Sequence, residues 1–474
     1  MTLHGVLGSS IMTGLAELQR ALGSKVSLND TIREHHSSDE SFHLPVLPDA
    51  VVFAESTADV VTALQICNAH QMPVVPWGVG TSLEGNCTPI HGGVSLDLSR
   101  MDKVLRVSAE DLDCTIQPGV RRKQLNEALA SYGLFFPVDP GADASLGGMA
   151  STGASGTTTV KYGAMKQLVL GLKVVTPSGE IVTTSRRARK TSAGYDLTHL
   201  FVGAEGTLGV ICELTLRLFG IPETIAAATM QFPSVRTAVD AVIEIIQFGI
   251  GVARIELLDS DAVMAVNKYS QTNLPERTLL LLEFHGSPDT VAIDMAATRE
   301  VLERHGGESF RQTSDEGERR TLWQARHDTA LACRALKRNG RLFATDVCVP
   351  ISRLADCIEQ TQADLVASHL FGPVIGHVGD GNFHVALTAD PSDLDELKVM
   401  EAFHARLVTR ALSMEGTCTG EHGIGIGKME YLVDELGESS VSVMATIKRA
   451  LDPHGIMNPG KIIADRFLDS VSAG

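Results

Sequence analysis

Four side chains in the C-terminal part of the chain could act together on one small molecule. The run His377-Val378-Gly379-Asp380-Gly381-Asn382-Phe383-His384 places two imidazoles around a glycine-rich turn. Folded back as a hairpin, that turn would aim both rings at one point. Downstream, Gly420-Glu421-His422-Gly423-Ile424-Gly425 adds a carboxylate and a third imidazole among glycines. Two histidines and a glutamate make a coordination shell for Zn2+ or Mn2+ that leaves positions open for a ligand. An α-hydroxy acid suits such a set, because its carboxylate and hydroxyl can chelate the cation through a five-membered ring. The cation lowers the hydroxyl pKa, and a nearby imidazole, ordinarily titrating near ~6.5, accepts the proton at neutral pH. Arg326, in Trp323-Gln324-Ala325-Arg326-His327, offers on a helix the planar fork that binds a carboxylate through two bonds. His91, His199, His285 and His454 stand alone and read as ordinary hydrogen-bonding groups.

Three earlier stretches could hold an extended cofactor. The first is Pro76-Trp77-Gly78-Val79-Gly80-Thr81-Ser82-Leu83-Glu84-Gly85-Asn86. Glycines followed by Thr and Ser can turn several main-chain N–H groups and two hydroxyls toward one anion, a nest that suits a pyrophosphate. Leu83 stands where the third glycine of a GxGxxG motif would fall, so this is not a Rossmann fingerprint, and no Walker A pattern occurs. The second begins at Pro140-Gly141 and runs through Ser145, Gly147, Gly148, Ser151, Thr152, Gly153, Ser155 and Gly156. The third is Gly203-Ala204-Glu205-Gly206-Thr207-Leu208-Gly209-Val210-Ile211. Together they imply a long groove for a dinucleotide.

These elements need more than one core to position them, since 474 residues exceed what one core usually organises. With 44% hydrophobic and 20% charged residues the composition is that of a soluble globular protein. A formal charge of −17 opposes nucleic acid and anionic lipid as partners. No stretch offers the ~18 uninterrupted apolar residues of a spanning helix. Arg20 is the one arginine of the first twenty residues, a poor match to a transit peptide, and no basic region leads into a signal core. The eight scattered cysteines include no CxxC, which disfavours a disulfide framework, an iron–sulfur cluster and covalent haem; a reducing cytoplasm is the expectation. From residue 51 the pattern reads strand (51–54), a helix from an N-cap at Ser56 to about His70, then strands near 93–98, 104–107, 114–117, 172–176 and 181–184, with a helix near 123–132. Beyond 221, helices near 235–247, 259–269, 288–305 and 351–368 alternate with strands near 253–258, 278–285, 342–347 and 373–378. That predicts an α+β lobe of one sheet with helices on one face, followed by a last helix over 441–451.

The order of the glycine-rich segments over 44–220 resembles the FAD-binding domain of the vanillyl-alcohol oxidase and p-cresol methylhydroxylase flavoproteins. That resemblance implies two small α/β subdomains holding FAD. The Gly78–Gly85 loop and the Ser145–Gly156 run would hold the pyrophosphate and adenine side, with Glu205, Gly206, Gly209, Val210 and Ile211 along the cofactor; Tyr162 and Asn458 belong to the same implied set. Some members attach flavin to a His in the first loop; Thr81 stands there, so non-covalent FAD is implied. HxGDGNxH followed by GEHGIG is similar to the signature of FAD-linked D-2-hydroxy-acid dehydrogenases, nearest the cytochrome-type D-lactate dehydrogenases. By residue match His377, His384 and Glu421 would be metal ligands, His422 the general base, Asn382 a neighbour of the substrate hydroxyl, and Arg326 the substrate-binding arginine.

The implied organisation is an N-terminal helical segment (1–43), the FAD domain (44–220), a substrate or cap domain with an antiparallel sheet and the metal site (221–425), and a C-terminal helical segment (426–474) packing back on the FAD domain. The run Ala344-Thr345-Asp346-Val347-Cys348-Val349-Pro350 resembles the D-lactate enzymes. Ala330 and Ala344 stand where the hydroxyglutarate enzymes carry polar partners for a second carboxylate, which favours a short or apolar substrate tail, because an unpaired buried charge costs several kcal/mol. D-2-hydroxyglutarate dehydrogenase and a glycolate oxidase FAD subunit are the alternatives. The expected electron acceptor is a quinone, a cytochrome c or an electron-transfer flavoprotein; a homodimer and a peripheral contact with the inner membrane are left open.

Overall fold

The structure, a computed structural model, describes residues 3–338 and 340–468. The chain forms two units: one gathers the chain up to 154, residues 164–220 and the segment from 421 onward, the other 155–163 and 221–420.

In the first unit the apolar run near 51 becomes the strand Ala50–Phe53. Ser56 caps the helix Thr57–Ala69 by accepting from the Asp59 N–H, and Val60, Ala63, Leu64 and Cys67 go inward at helical spacing. Two sheets follow. Ala50–Phe53, Val94–Asp97 and Val74–Trp77 pair in parallel, with Val26–Ser27 antiparallel at the edge. Val104–Ser108, Asp113–Ile116, Val210–Arg217, Val169–Val175 and Ile181–Thr183 pair antiparallel in that order. Each sheet has its own buried cluster, which is the expected two-subdomain arrangement. A bulge between Ile211 and Glu213 shifts the strand's alternation. Ile211 and Leu214 therefore share one core while Val210 enters the other. The last helix is longer than its pattern suggested, Tyr431–Leu451, with non-helical backbone at Gly437 (φ 79°). The chain then returns to the parallel sheet: Val74 N–H donates to Ile456 O (2.7 Å) and Asn458 N–H to Val74 O (2.8 Å).

The second unit is built on an eight-stranded sheet. Its order is Glu308–Thr313, Thr224–Phe232, Thr278–Gly286, Val252–Leu258, Val374–His377, Asn382–Ala389 and Arg341–Ala344, with Val347–Cys348 also pairing on Asn382–Ala389; all these pairings are antiparallel. Two of the strands, Thr224–Phe232 and Glu308–Thr313, and the helix Leu394–Ser413 were not visible in the pattern. Among the described residues no helix is long and apolar enough to cross a membrane.

Two boundaries differ from the sequence reading. Residues 421–425 belong with the first unit, because Glu205 accepts from the Ile424 and Gly425 N–H groups at 2.7 and 2.8 Å. Residues 155–163 belong with the second, where Tyr162 Oη meets His285 Nδ1 at 2.7 Å and Lys161 Nζ donates to His285 O at 2.6 Å.

Candidate active site

The three glycine-rich stretches converge in the first unit on one groove. It is lined by Pro76, Gly78, Val79, Gly80, Thr81, Ser82 and Asn86 of the first, Pro140, Ser145, Gly147, Gly148, Ser151 and Thr152 of the second, and Glu205, Gly206, Gly209 and Ile211 of the third. Glycine lets the loops approach closely where they meet. A Cβ on Gly78 would lie 2.3 Å from Ser145 Oγ, and one on Gly80 (φ +71°) would enter the Trp77 ring at 2.5 Å. Hydroxyls line the groove, but among the described lining residues there is no Lys or Arg. A pyrophosphate there would rest on main-chain dipoles and hydroxyls, and a nest of this kind fits an extended dinucleotide.

Glu421 and His422 line the same groove, which the sequence pattern did not foresee. The reason is Glu205. Its Oε1 accepts from Ile424 N–H, and its Oε2 from Gly425 N–H and, at 2.6 Å, from Asn86 Nδ2. One carboxylate thereby fixes the GEHGIG run to the first glycine loop. Burial pushes its pKa up to about 6 against these donors. Beside it, Glu84 Oε1 lies 3.0 Å from Lys428 Nζ and 3.7 Å from His422 Nδ1. Burial opposes ionisation of Glu84, but Lys428 and His422 outweigh it and hold the carboxyl below its usual range.

The remaining expected cofactor residues lie off the groove lining. Val210 is core. Gly153 (φ +67°) ends the helix Leu146–Thr152 as its left-handed cap. Gly85 (φ +73°) packs where a Cβ would meet Ile426 Cδ1 at 2.7 Å. Asn458 acts on the loops, its Nδ2 donating to Asn86 O (2.8 Å) and Glu205 O (2.7 Å). Ser155, Gly156 and Tyr162 belong to the second unit.

In that second unit the HxGDGNxH run is the hairpin its glycines suggested, with His377 opposite Asn382 and Ile375 opposite His384. This register puts His377, Asn382 and His384 on one face of the sheet. The two imidazoles sit edge to face, 5.5 Å between centroids. Both have their Nδ1 engaged: His377 Nδ1 with Glu256 Oε1 at 2.6 Å, His384 Nδ1 with the Thr345 carbonyl at 2.9 Å. A carbonyl only accepts, so His384 carries its proton on Nδ1 and keeps its lone pair on Nε2. An ionised Glu256 sets the same tautomer in His377, and its carboxyl is held below the usual range because His377 and Arg326 outweigh the effect of burial. Histidines with Nδ1–H tied to an oxygen, and so with the lone pair on Nε2, are the form that ligates metals.

Asn382 Nδ2 donates to Asp346 Oδ1 (2.7 Å) and Val347 O (2.8 Å). Its Oδ1 is buried without a hydrogen-bond partner among the described residues, an acceptor available to a ligand hydroxyl. Asp346 Oδ2 also takes Thr419 Oγ1 and the Gly420 N–H, each at 2.8 Å, and so anchors the residue that precedes Glu421. Arg326 is buried, with Nε and Nη2 on Glu256 Oε2 at 2.9 and 2.6 Å. His285, His199 and His454 do bond ordinary neighbours, Glu283, Asp196 and Asn68. The sequence reading missed Glu256, Glu84 and Lys428; the one available signal was an acid interrupting the apolar strand Val252–Leu258.

Known proteins agree with this architecture. A family described as "FAD binding domain" matches residues 48–185, and "FAD linked oxidases, C-terminal domain" matches 221–462. A probable mitochondrial D-lactate dehydrogenase of Danio rerio is 48% identical over 441 residues, 92% of this chain and 89% of that protein. A mitochondrial D-lactate dehydrogenase (cytochrome) of Arabidopsis thaliana is 44% identical over 430 residues, 90% of this chain and 76% of that protein. The crystal structure of p-cresol methylhydroxylase with substrate bound aligns over 97% of this chain and 98% of that one, with a TM-score of 0.81 at 16% identity, which shows the fold alone.

Proposed function

The chain belongs to the FAD-linked oxidases, and from that membership we propose that it oxidises D-lactate, or a similarly short D-2-hydroxy acid, to the 2-oxo acid. FAD, when bound in the groove, supplies the acceptor for the hydride from C2. His377, His384 and Glu421 are the residues that would hold a divalent cation, Zn2+ or Mn2+, which would supply the Lewis acid for the hydroxyl.

The observation that carries this reading is the pair of hairpin imidazoles whose Nδ1 atoms are tied to Glu256 and Thr345 O. Such a pair is preorganised for a cation, and an α-hydroxy acid is a natural bidentate ligand for it. Asn382 lies beside the substrate hydroxyl. The N–H groups of Arg326 not spent on Glu256 hold its carboxylate, and His422 takes the hydroxyl proton. Glu84, 3.7 Å from His422 Nδ1, stabilises the imidazolium that results. Electrons then leave for a separate acceptor: a cytochrome c, a quinone or an electron-transfer flavoprotein. A second carboxylate on the substrate would find alanines at 330 and 344, which supports the short tail.

The test is anaerobic mixing of the FAD-loaded protein with D- and L-lactate, glycolate and D-2-hydroxyglutarate while the flavin absorbance near ~450 nm is followed. D-lactate is expected to bleach it fastest and L-lactate not at all. Faster bleaching by the diacid or by glycolate overturns the substrate assignment.

A further inference from the structure

One carboxylate in the second unit touches both the group assigned above to the metal and the group assigned to the substrate. Glu256 lies within the strand Val252–Leu258 and is 0% exposed. Its two oxygens are divided: Oε1 faces His377 Nδ1 at 2.6 Å, and Oε2 accepts from Arg326 Nε and Nη2 at 2.9 and 2.6 Å. We propose that Glu256 is a positioning residue that makes cation binding at His377 and carboxylate binding at Arg326 reinforce one another, an inference that rests on the metal and substrate roles just assigned.

The physical chain is short. A neutral imidazole has one ring proton, and a carboxylate at Nδ1 holds it there and keeps Nε2 a donor to a cation. The same carboxylate splits the fork of Arg326: Nε and one Nη2 hydrogen are spent inward, leaving the other N–H groups to a ligand. Both partners draw on one negative charge. An anion arriving at Arg326 competes for the guanidinium and leaves more of that charge to His377, whose Nε2 becomes a better ligand. A cation on Nε2 makes the Nδ1–H more acidic and pulls the carboxylate toward His377, which frees the guanidinium for the incoming anion. Each ligand therefore tightens the other, and the gain must be equal in both directions. Glutamine cannot replace this residue. It offers one acceptor oxygen, and its amide N–H groups would face either a guanidinium that needs an acceptor or an imidazole that would have to move its proton to Nε2.

The test measures Zn2+ affinity of the FAD-loaded protein by competition with a chromophoric chelator, with and without saturating propionate. Propionate has the carboxylate for Arg326 but no α-hydroxyl to chelate the metal. The wild-type chain is expected to bind Zn2+ about tenfold more tightly when propionate is present. Glu256→Gln is expected to lose roughly 10–100-fold in Zn2+ affinity and to show no propionate effect. An equal propionate effect in wild type and Glu256→Gln overturns the coupling, because direct contact between propionate and the ion would survive the substitution. Arg326→Lys serves if the Gln variant does not keep its flavin: the effect of propionate on Zn2+ affinity should be gone. A full effect in Arg326→Lys also overturns the proposal. Wild-type protein that binds neither Zn2+ nor Mn2+ would instead remove the metal reading beneath it, a different and recognisable result.

Discussion

Glu205 in the first unit and Glu256 in the second are both enclosed carboxylates, 5% and 0% exposed, and their protons are held in opposite senses. For Glu205, burial dominates and lifts the pKa to about 6, although three N–H donors from Asn86, Ile424 and Gly425 pull the other way. For Glu256, burial is outweighed by His377 and Arg326, and the carboxyl stays below its usual range. Dipoles offset the loss of water only in part, whereas a full positive charge and an imidazole more than offset it. The contrast separates two uses of one residue type. Glu205 stitches loops around a cofactor groove. Glu256 sets the tautomer of His377 and takes part of the Arg326 fork, the two groups to which metal and substrate roles are proposed above.

The largest expected effect tests whether chemistry belongs to the imidazoles that these acids orient. His422→Asn should keep the yellow flavin colour while flavin reduction slows by about 10²–10⁴-fold, the usual contribution of a positioned base. Reduction within about tenfold of wild type would assign the proton to another group. Glu84 belongs with Glu256 in the comparison, being paired with the fully buried Lys428. Glu84→Gln removes the carboxylate charge from beside that ammonium and should cost about 3–5 kcal/mol of unfolding free energy, read by denaturant melts with constant slope. A loss below about 1 kcal/mol would mean the Lys428 charge is carried elsewhere.

The smallest effect concerns Glu205 and pH. Its folded pKa, about 6, exceeds the usual 4.5. The protonated form is favoured by folding, so this contribution is fully present below 4.5 and is lost as pH rises through about 6. Relative to Glu205→Gln, wild type should therefore weaken by about 2 kcal/mol between pH 4.5 and 7, measured as the difference of their unfolding free energies. A difference that stays flat over this window would erase the contrast with Glu256.

Elements whose signal is local were legible in advance. The cap at Ser56 with four inward residues at helical spacing became the helix Thr57–Ala69. The glycines between His377 and His384 became a hairpin with both rings on one face. Elements whose signal depends on neighbours were not. Thr224–Phe232 contains three consecutive alanines and little alternation, and it is a strand because it pairs on both sides. Glu308–Thr313 is largely exposed and polar, and pairing with that strand makes it part of the sheet.

The same division runs through the site. Residue types and spacing determined which groups can do chemistry here: imidazoles bracketing a turn, an acid and imidazole among glycines, three glycine-rich loops for a dinucleotide. Spacing works for these because each is a run of adjacent residues whose backbone conformation glycine permits. Only the tertiary structure decided which groups hold them. Glu256 reaches Arg326 across 70 positions and His377 across 121, and Glu205 reaches Ile424 across 219. No periodicity connects such residues. They meet because strands pair and loops close over a core, and a buried carboxylate takes the donors that the fold brings to it.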